Sequence, residues 1–295
     1  MIFTDINRQL NTVFEHGRLP SMVYINKQDC ERNKVDRPLH SHDSICEILL
    51  VYKGSGIYHI NDKRYTLTEG SVVFYNQGDL HEVSSLLDTE IGDYCIGITN
   101  LYKKGMKLNH LVKKGEPYVR QSGRLFPLLK GLCEQMYALD ETNAYGKLAS
   151  QLLCASLIVI TGELASFAIE DRESNSLNSD EKFISRILNY LNEHFIDDIS
   201  IKDIAQKLGC SESYISHVFR KSTGTTPIQY AIRRRIGLAQ TLLISTDLPA
   251  THIATMVGYS NTNYFINSFS KIVGMTPIRY RKFYLEELRG KRNQS

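Results

Sequence analysis

The C-terminal part of the chain carries one stretch of sequence twice, and no other feature restricts its fold as tightly. "IKDIAQKLGCSESYISHVFRKSTGTTPIQY" starts at Ile201, and "ATHIATMVGYSNTNYFINSFSKIVGMTPIRY" starts at Ala250. At an offset of 49, Ile204, Ala205, Gly209 and Ser211 match Ile253, Ala254, Gly258 and Ser260. After one extra residue, Phe219, Lys221, Gly224, Thr226, Pro227, Ile228 and Tyr230 find their identities at an offset of 50. A repeat of this length is one supersecondary unit used twice.

Each copy reads as two helices joined by a tight turn. Ile201, Ile204, Ala205 and Leu208 share one apolar face, and Ser200 with Asp203 predicts a capping box that the second copy lacks. Gly209 and Gly258 supply the positive φ that ends the first helix of each unit. Ser211 and Ser260 are expected to cap the second helices, whose Tyr214, Ile215 and Phe219, or Tyr264, Phe265 and Phe269, are expected to turn inward. This is helix-turn-helix grammar, in which the second helix enters the DNA major groove. Pro227 opens a connecting helix with Ile228, Ile232, Ile236, Ala239 and Leu243 at helical spacing. Phe183, Ile187, Leu191 and Phe195 form the face of an introductory helix.

Charge agrees with a nucleic-acid partner for this part alone. Residues 183–295 hold 15 Lys and Arg against 8 Asp and Glu, a net charge of +7, whereas the first 182 residues carry −4. Between them, "EDRESNSLNSDE" from Glu170 to Glu181 has linker composition. The chain's 295 residues favour two domains. The start "MIFTDINRQL" has no leader pattern and no stretch reads as a membrane span, so the expected location is the cytoplasm. The six cysteines, Cys30, Cys46, Cys95, Cys133, Cys154 and Cys210, form no CxxC pair and read as reduced thiols.

The tandem unit resembles the DNA-binding domain of the AraC/XylS family of bacterial transcription regulators. Ile253, Ala254, Gly258, Tyr259, Tyr264, Phe265, Phe269, Gly274, Thr276, Pro277, Tyr280 and Arg281 carry the hallmark of its second half, and Arg235, Ile236, Ala239, Leu242 and Leu243 fit its connecting helix. The resemblance implies promoter DNA and RNA polymerase as partners, a homodimer, and a small-molecule effector, with sugars common among the family's effectors. Positions facing away from the aromatic anchors are the expected base readers: Ser213, Ser216 and His217, and Thr262, Asn263 and Asn267. Arg220, Lys221 and Lys271, near the ends of the same helices, are the expected phosphate contacts.

In the N-terminal half, "HSHDSICEILLVYKG" puts His40 and His42 on one face of an extended segment and Glu47 on the next strand. "GIYHI", "RYTL" and "SVVFY" continue as short strands. This pattern resembles the cupin β-barrel, whose first motif is met by His40, His42, Glu47 and Gly54, and whose second is met in part by Gly70, Gly78 and His81. Asn76 stands where proline is usual, Ser85 where asparagine is usual, and Lys34 where a glycine is usual. Two alternatives stay open for the four polar residues. They converge on a transition-metal ion, or they hydrogen-bond to one another and line an effector pocket. The favoured reading is a ligand pocket of His40, His42, Glu47 and His81 with no metal, no cofactor and no catalytic residue. His59, His110 and His252 read as ordinary residues.

After the barrel the pattern turns helical. Leu148, Leu152, Ala155 and Val159 make one apolar stripe, and Leu153, Leu157, Ile160 and Leu164 another, so one faces the barrel and the other suits a second subunit. The expected architecture is α+β: residues 1–169 as a cupin-like effector-binding and dimerisation barrel with trailing helices, 170–182 as linker, and 183–295 as an all-α domain with two helix-turn-helix motifs. The expected function is an effector-responsive transcription regulator, an activator by resemblance, and not an enzyme or a membrane protein. A metal-dependent cupin enzyme fused to a DNA-binding domain is the alternative, as is a regulator controlled by metal or a partner protein.

Overall fold

The computed structural model describes residues 6–29, 39–61, 63–83, 91–139, 143–166 and 179–284. Cys30, Lys34, Ser85 and most of the expected linker lie outside them. Helix α1 (Ile6–Val13) precedes a seven-stranded antiparallel array: β1 (Ser21–Gln28), β2 (Cys46–Ile60), β3 (Lys63–Thr68), β4 (Ser71–Tyr75), β5 (His81–Val83), β6 (Ile91–Thr99) and β7 (Val119–Gln121). The first half of β2 pairs with β4 and β6; its second half pairs with β3 and β5. One long strand therefore serves both layers, with an irregular register between Val51 and Lys53 where the pairing changes.

Strand alternation sorts the side chains. Ile48, Leu50, Val72, Phe74, Ile96 and Ile98 pack outward against α2 (Phe126–Ala138) and α3 (Ala144–Ser166). Leu49, Val51, Tyr58, Ile60, Leu67, Val73, Tyr75 and Ile91 fill the other side, so the barrel's interior is closely packed around its polar site. Asn76 has a structural use where proline is usual: its Oδ1 accepts from the backbone of Leu111 (2.7 Å) and Val112 (3.2 Å), tying the following loop to the barrel. Gln151 of α3 reaches edge strand β1, accepting from Met22 N at 2.6 Å and donating to Met22 O at 3.1 Å.

Contrary to the sequence reading, one stretch is long and apolar enough to cross a membrane: Ala144–Leu164 of α3, with a mean hydropathy of 1.4. Buried Cys154, Leu157, Ile158 and Leu164 join it to the barrel's core, while Leu148, Leu152 and Val159 remain exposed. Of the two apolar stripes, the one of Leu148, Leu152 and Val159 therefore faces outward, although its Ala155 is buried.

The C-terminal part is helical: α4 (Ser179–His194), α5 (Ile201–Leu208), α6 (Glu212–Thr223), α7 (Pro227–Ser245), α8 (Ala250–Met256) and α9 (Thr262–Val273). Ser200 and Asp203 form the expected capping box on α5. Thr226 and Gln229 form a second one on α7, which the sequence reading missed. Ser211 caps α6, but Asn261 rather than Ser260 caps α9, its side chain accepting from the backbone of Asn263 and Tyr264. The extra residue of the second copy thus lies in the turn, and the Ser211–Ser260 identity is not a structural equivalence. The recognition helices themselves are in strict correspondence, 12 residues each.

Ile215, Phe219, Phe265 and Phe269 are buried as expected, each contributing about 1.5–3 kcal/mol by leaving water. Tyr214 and Tyr264 are not: they are 44% and 56% exposed. Each precedes a buried residue by one position, and the 100° step per residue carries it out of the core. Gly258, at φ +84°, lets the second unit pack closely on the segment between α4 and α5, because a Cβ there would collide with the carbonyl oxygen of Ile196. Arg235 of α7 joins the same region: Nε donates to Phe195 O (2.5 Å), Nη1 to Gly258 O (3.0 Å) and Nη2 to Asp197 O (2.6 Å).

Candidate functional site

The four residues expected to form the barrel site come together. Glu47 stands in β2 opposite Tyr75 of β4 and Gly97 of β6, on the face that points into the barrel. His81 opens β5 and bridges to His40 through two backbone hydrogen bonds, His40 N to His81 O at 3.0 Å and His81 N to His40 O at 2.9 Å. The rings of His40 and His81 are 4.3 Å apart, and that of His42 lies 5.1 and 5.6 Å from them. Glu47 Oε2 meets His81 Nε2 at 2.9 Å, and Oε1 meets His42 Nε2 at 3.4 Å.

Glu47 is buried, and burial alone would raise its pKa; His81 and His42 outweigh that and hold the carboxyl well below its ordinary value. A buried carboxylate charge is therefore kept, with the imidazoles of His42 and His81 against it. Three further side chains complete the cluster, and the sequence reading assigned none of them to the site. The Tyr24 hydroxyl and the Cys95 thiol both donate to Glu47 Oε1, and the Tyr75 ring stacks on His81 at 4.1 Å. Tyr75 was accessible in principle, because pairing β2 with β4 places it opposite Glu47. Tyr24 comes from a strand with no motif of its own.

The donor set also fits a transition-metal ion. Nitrogen atoms of His40, His42 and His81 lie within 4.8 Å of one another, and His81 Nδ1 faces the Asp79 carbonyl at 3.0 Å, which presents Nε2 to the site. His40, His42, His81 and Glu47 would hold such an ion, which would supply Lewis acidity or simply a fixed positive charge.

His59 is not the ordinary residue expected. On the outer side of the same wall, its Nδ1 lies 3.2 Å from Glu82 Oε1, and Glu82 Oε2 meets Nε of Arg233, in α7, at 2.9 Å. His110 and His252 take no part in either cluster; His110 faces the carbonyl of Leu108.

The second candidate surface lies on α6 and α9. Ser213, His217, Arg220 and Lys221 are exposed and Ser216 is half-buried; Asn263, Asn267 and Lys271 are exposed and Thr262 is half-buried. Tyr214 and Tyr264 join this surface, where an aromatic ring can pack against sugar or a thymine methyl. At 1.5 Å per residue, the 19 residues of α7 make a rod of about 28 Å between the two units.

Residues 29–158 match the family of AraC-like ligand binding domains, and residues 204–282 match a family of helix-turn-helix domains. The uncharacterized HTH-type transcriptional regulator YdeC of Bacillus subtilis is 26% identical over 94% of this chain and 97% of its own length. The HTH-type transcriptional activator RhaR of Enterobacter sp. is 28% identical over 82% of this chain and 86% of its own. Among solved structures, the C-terminal domain of AraT, a response regulator from Geobacillus stearothermophilus, is 31% identical, covering 36% of this chain and 87% of that one, with a TM-score of 0.34. With a ligand-binding barrel followed by paired helix-turn-helix units, matched over more than half its length, the protein belongs to the AraC/XylS family of DNA-binding transcription regulators.

Proposed function

We propose that this regulator senses a small molecule at His40, His42, Glu47 and His81 and reads promoter DNA with α6 and α9. The observation that carries the sensing half is Glu47: a buried carboxylate held charged by imidazoles inside a barrel is a costly feature that packing alone does not require. Residues 1–169 serve effector binding and dimerisation, and 183–295 DNA binding; residues 170–182 link them, although α4 begins inside that segment, at Ser179. The exposed stripe Leu148, Leu152 and Val159 supports a homodimer, and the family resemblance supports RNA polymerase as a partner, a sugar-like effector and a cytoplasmic location. Catalysis has no part in this reading.

The test combines a thermal-shift screen with footprinting. An effector at a hundredfold excess over its Kd should raise stability by about 2.7 kcal/mol, and His81→Ala should abolish that shift. Hydroxyl-radical footprints should show two protected major-groove segments per subunit, about 34 Å apart. A His81→Ala protein that keeps effector-dependent DNA binding would remove the barrel cluster from the sensing role. The donor set favours a second reading, in which a transition-metal ion is itself the effector. Elemental analysis finding one tightly held ion per chain, lost in His40→Ala together with the regulatory response, would establish it.

A further inference from the structure

Each of the three site histidines has a chain neighbour that engages the C-terminal domain. Leu39 precedes His40, Leu80 precedes His81, and both leucines are buried in one apolar cluster with Ile184, Ile187 and Leu191 of α4 and Tyr230 of α7. Glu82 follows His81 and holds Arg233 of α7 at 2.9 Å. Asp43 follows His42 and lies within electrostatic reach of Arg234, whose guanidinium sits 4.6 Å from the Phe195 ring. At His81 the reason is the period of β5: successive side chains point to opposite faces, so a histidine turned into the barrel puts Glu82 outside. The reciprocal backbone hydrogen bonds between His40 and His81 make the two segments one piece.

We propose that these residues form a two-sided wall, through which a ligand engaging His40, His42 and His81 from inside alters how tightly α4 and α7 are held outside. The proposal rests on the reading of the cluster as the effector site and adds the route by which occupancy reaches DNA. Helix α7 is where the signal matters, because it sets the spacing and orientation of α6 relative to α9. Seven of the nine candidate DNA contacts are exposed while the wall is engaged, Ser216 and Thr262 being half-buried, so the contact adjusts the presentation of the reading helices and does not cover them. Linkage makes the effect reciprocal: whatever the wall gains from one partner it transmits to the other.

The test is a double-mutant cycle between His81→Gln and Arg233→Met in the full chain, read by hydrogen exchange of the α7 amides. These residues lie in different domains, and each makes its own contact to the wall. The expected result is a departure from additivity of at least about threefold in the α7 opening constant. Glu82→Gln, which leaves α7 unaltered, should reproduce the exchange of Arg233→Met and serves in its place if that variant does not fold. Zinc alone is the occupancy probe: it should change α7 exchange in the wild type, and Glu82→Gln should bind it equally yet lose the response. An additive cycle, or bound zinc with α7 unchanged, overturns the proposal. A non-additive cycle in a protein for which no effector is found would count against the sensing role alone, since the cycle requires neither ligand nor DNA.

Discussion

Arg235 donates to the carbonyl oxygen of Gly258 at 3.0 Å, and this one hydrogen bond joins the connecting helix to the turn of the second DNA-reading unit. The same guanidinium also holds Phe195 and Asp197, which lie between α4 and α5, and lies 5.4 Å from the Tyr259 ring. Three carbonyls are thereby satisfied by one rigid fork. Arg235→Ala should destabilise the full chain by about 2 kcal/mol or more in urea unfolding, since charge-assisted hydrogen bonds are lost and their acceptors left unpaired. Arg235→Lys should recover only part of this, because a point charge cannot span three acceptors.

The two turn glycines should differ sharply. Gly209→Ala meets no atom within 4 Å and carries only the left-handed backbone penalty, about 1–2 kcal/mol. Gly258→Ala has the same penalty and also meets the Ile196 backbone, so its midpoint should fall well below that of Gly209→Ala. Equal midpoints would show that Gly258 does not pack on Ile196 as closely as described.

The pairing of the repeats was readable from eleven identities, but their register was not. Ser260 looked equivalent to Ser211 because an identity in sequence carries no information about which residue has the extended backbone of a cap; Asn261 has it. The barrel's four polar residues were legible because motif spacing follows strand alternation. Tyr24 and Cys95 were not, since they reach Glu47 only through the pairing of β1 and β2 with β6, a long-range fact. Glu82 belongs to no motif, and only the fold places it beside Arg233, far along the chain.

Base readout and phosphate contact should separate by mutation. Asn267→Ala should cost about 1–3 kcal/mol at a cognate site and relax preference at one base pair. Lys221→Ala and Lys271→Ala should weaken binding to all sequences alike and make it less sensitive to salt. A set of mutated sites measured at two salt concentrations distinguishes the two classes, and a shift in sequence preference for either lysine would reverse its assignment.

On α3, Leu148→Glu with Leu152→Glu should convert a dimer to monomer in sedimentation velocity without lowering the unfolding midpoint, because both side chains are exposed in the single chain. An unchanged sedimentation coefficient in a protein that is dimeric as wild type would place the subunit contact elsewhere.

The Asp203 carboxyl is held below its ordinary value by hydrogen bonds from the Ser200 hydroxyl and backbone. A lowered carboxylate pKa adds stability above the unfolded value, and that stability is lost as pH falls through the folded one. The destabilisation caused by Asp203→Asn should therefore be present at neutral pH and should shrink at more acidic pH, as followed by thermal unfolding across the acid range.

Gln151 gives the barrel a protection that has nothing to do with sensing. By offering one acceptor and one donor to Met22, its side-chain amide imitates the backbone of a missing neighbouring strand. Among the described residues β1 is the outermost strand on its side of the sheet, the kind of margin along which sheets from separate molecules add to one another. A helix that contributes a single amide at that position occupies the margin without extending the sheet. The stacking of one barrel onto another is thus discouraged by the same helix whose outer face is suited to ordered pairing.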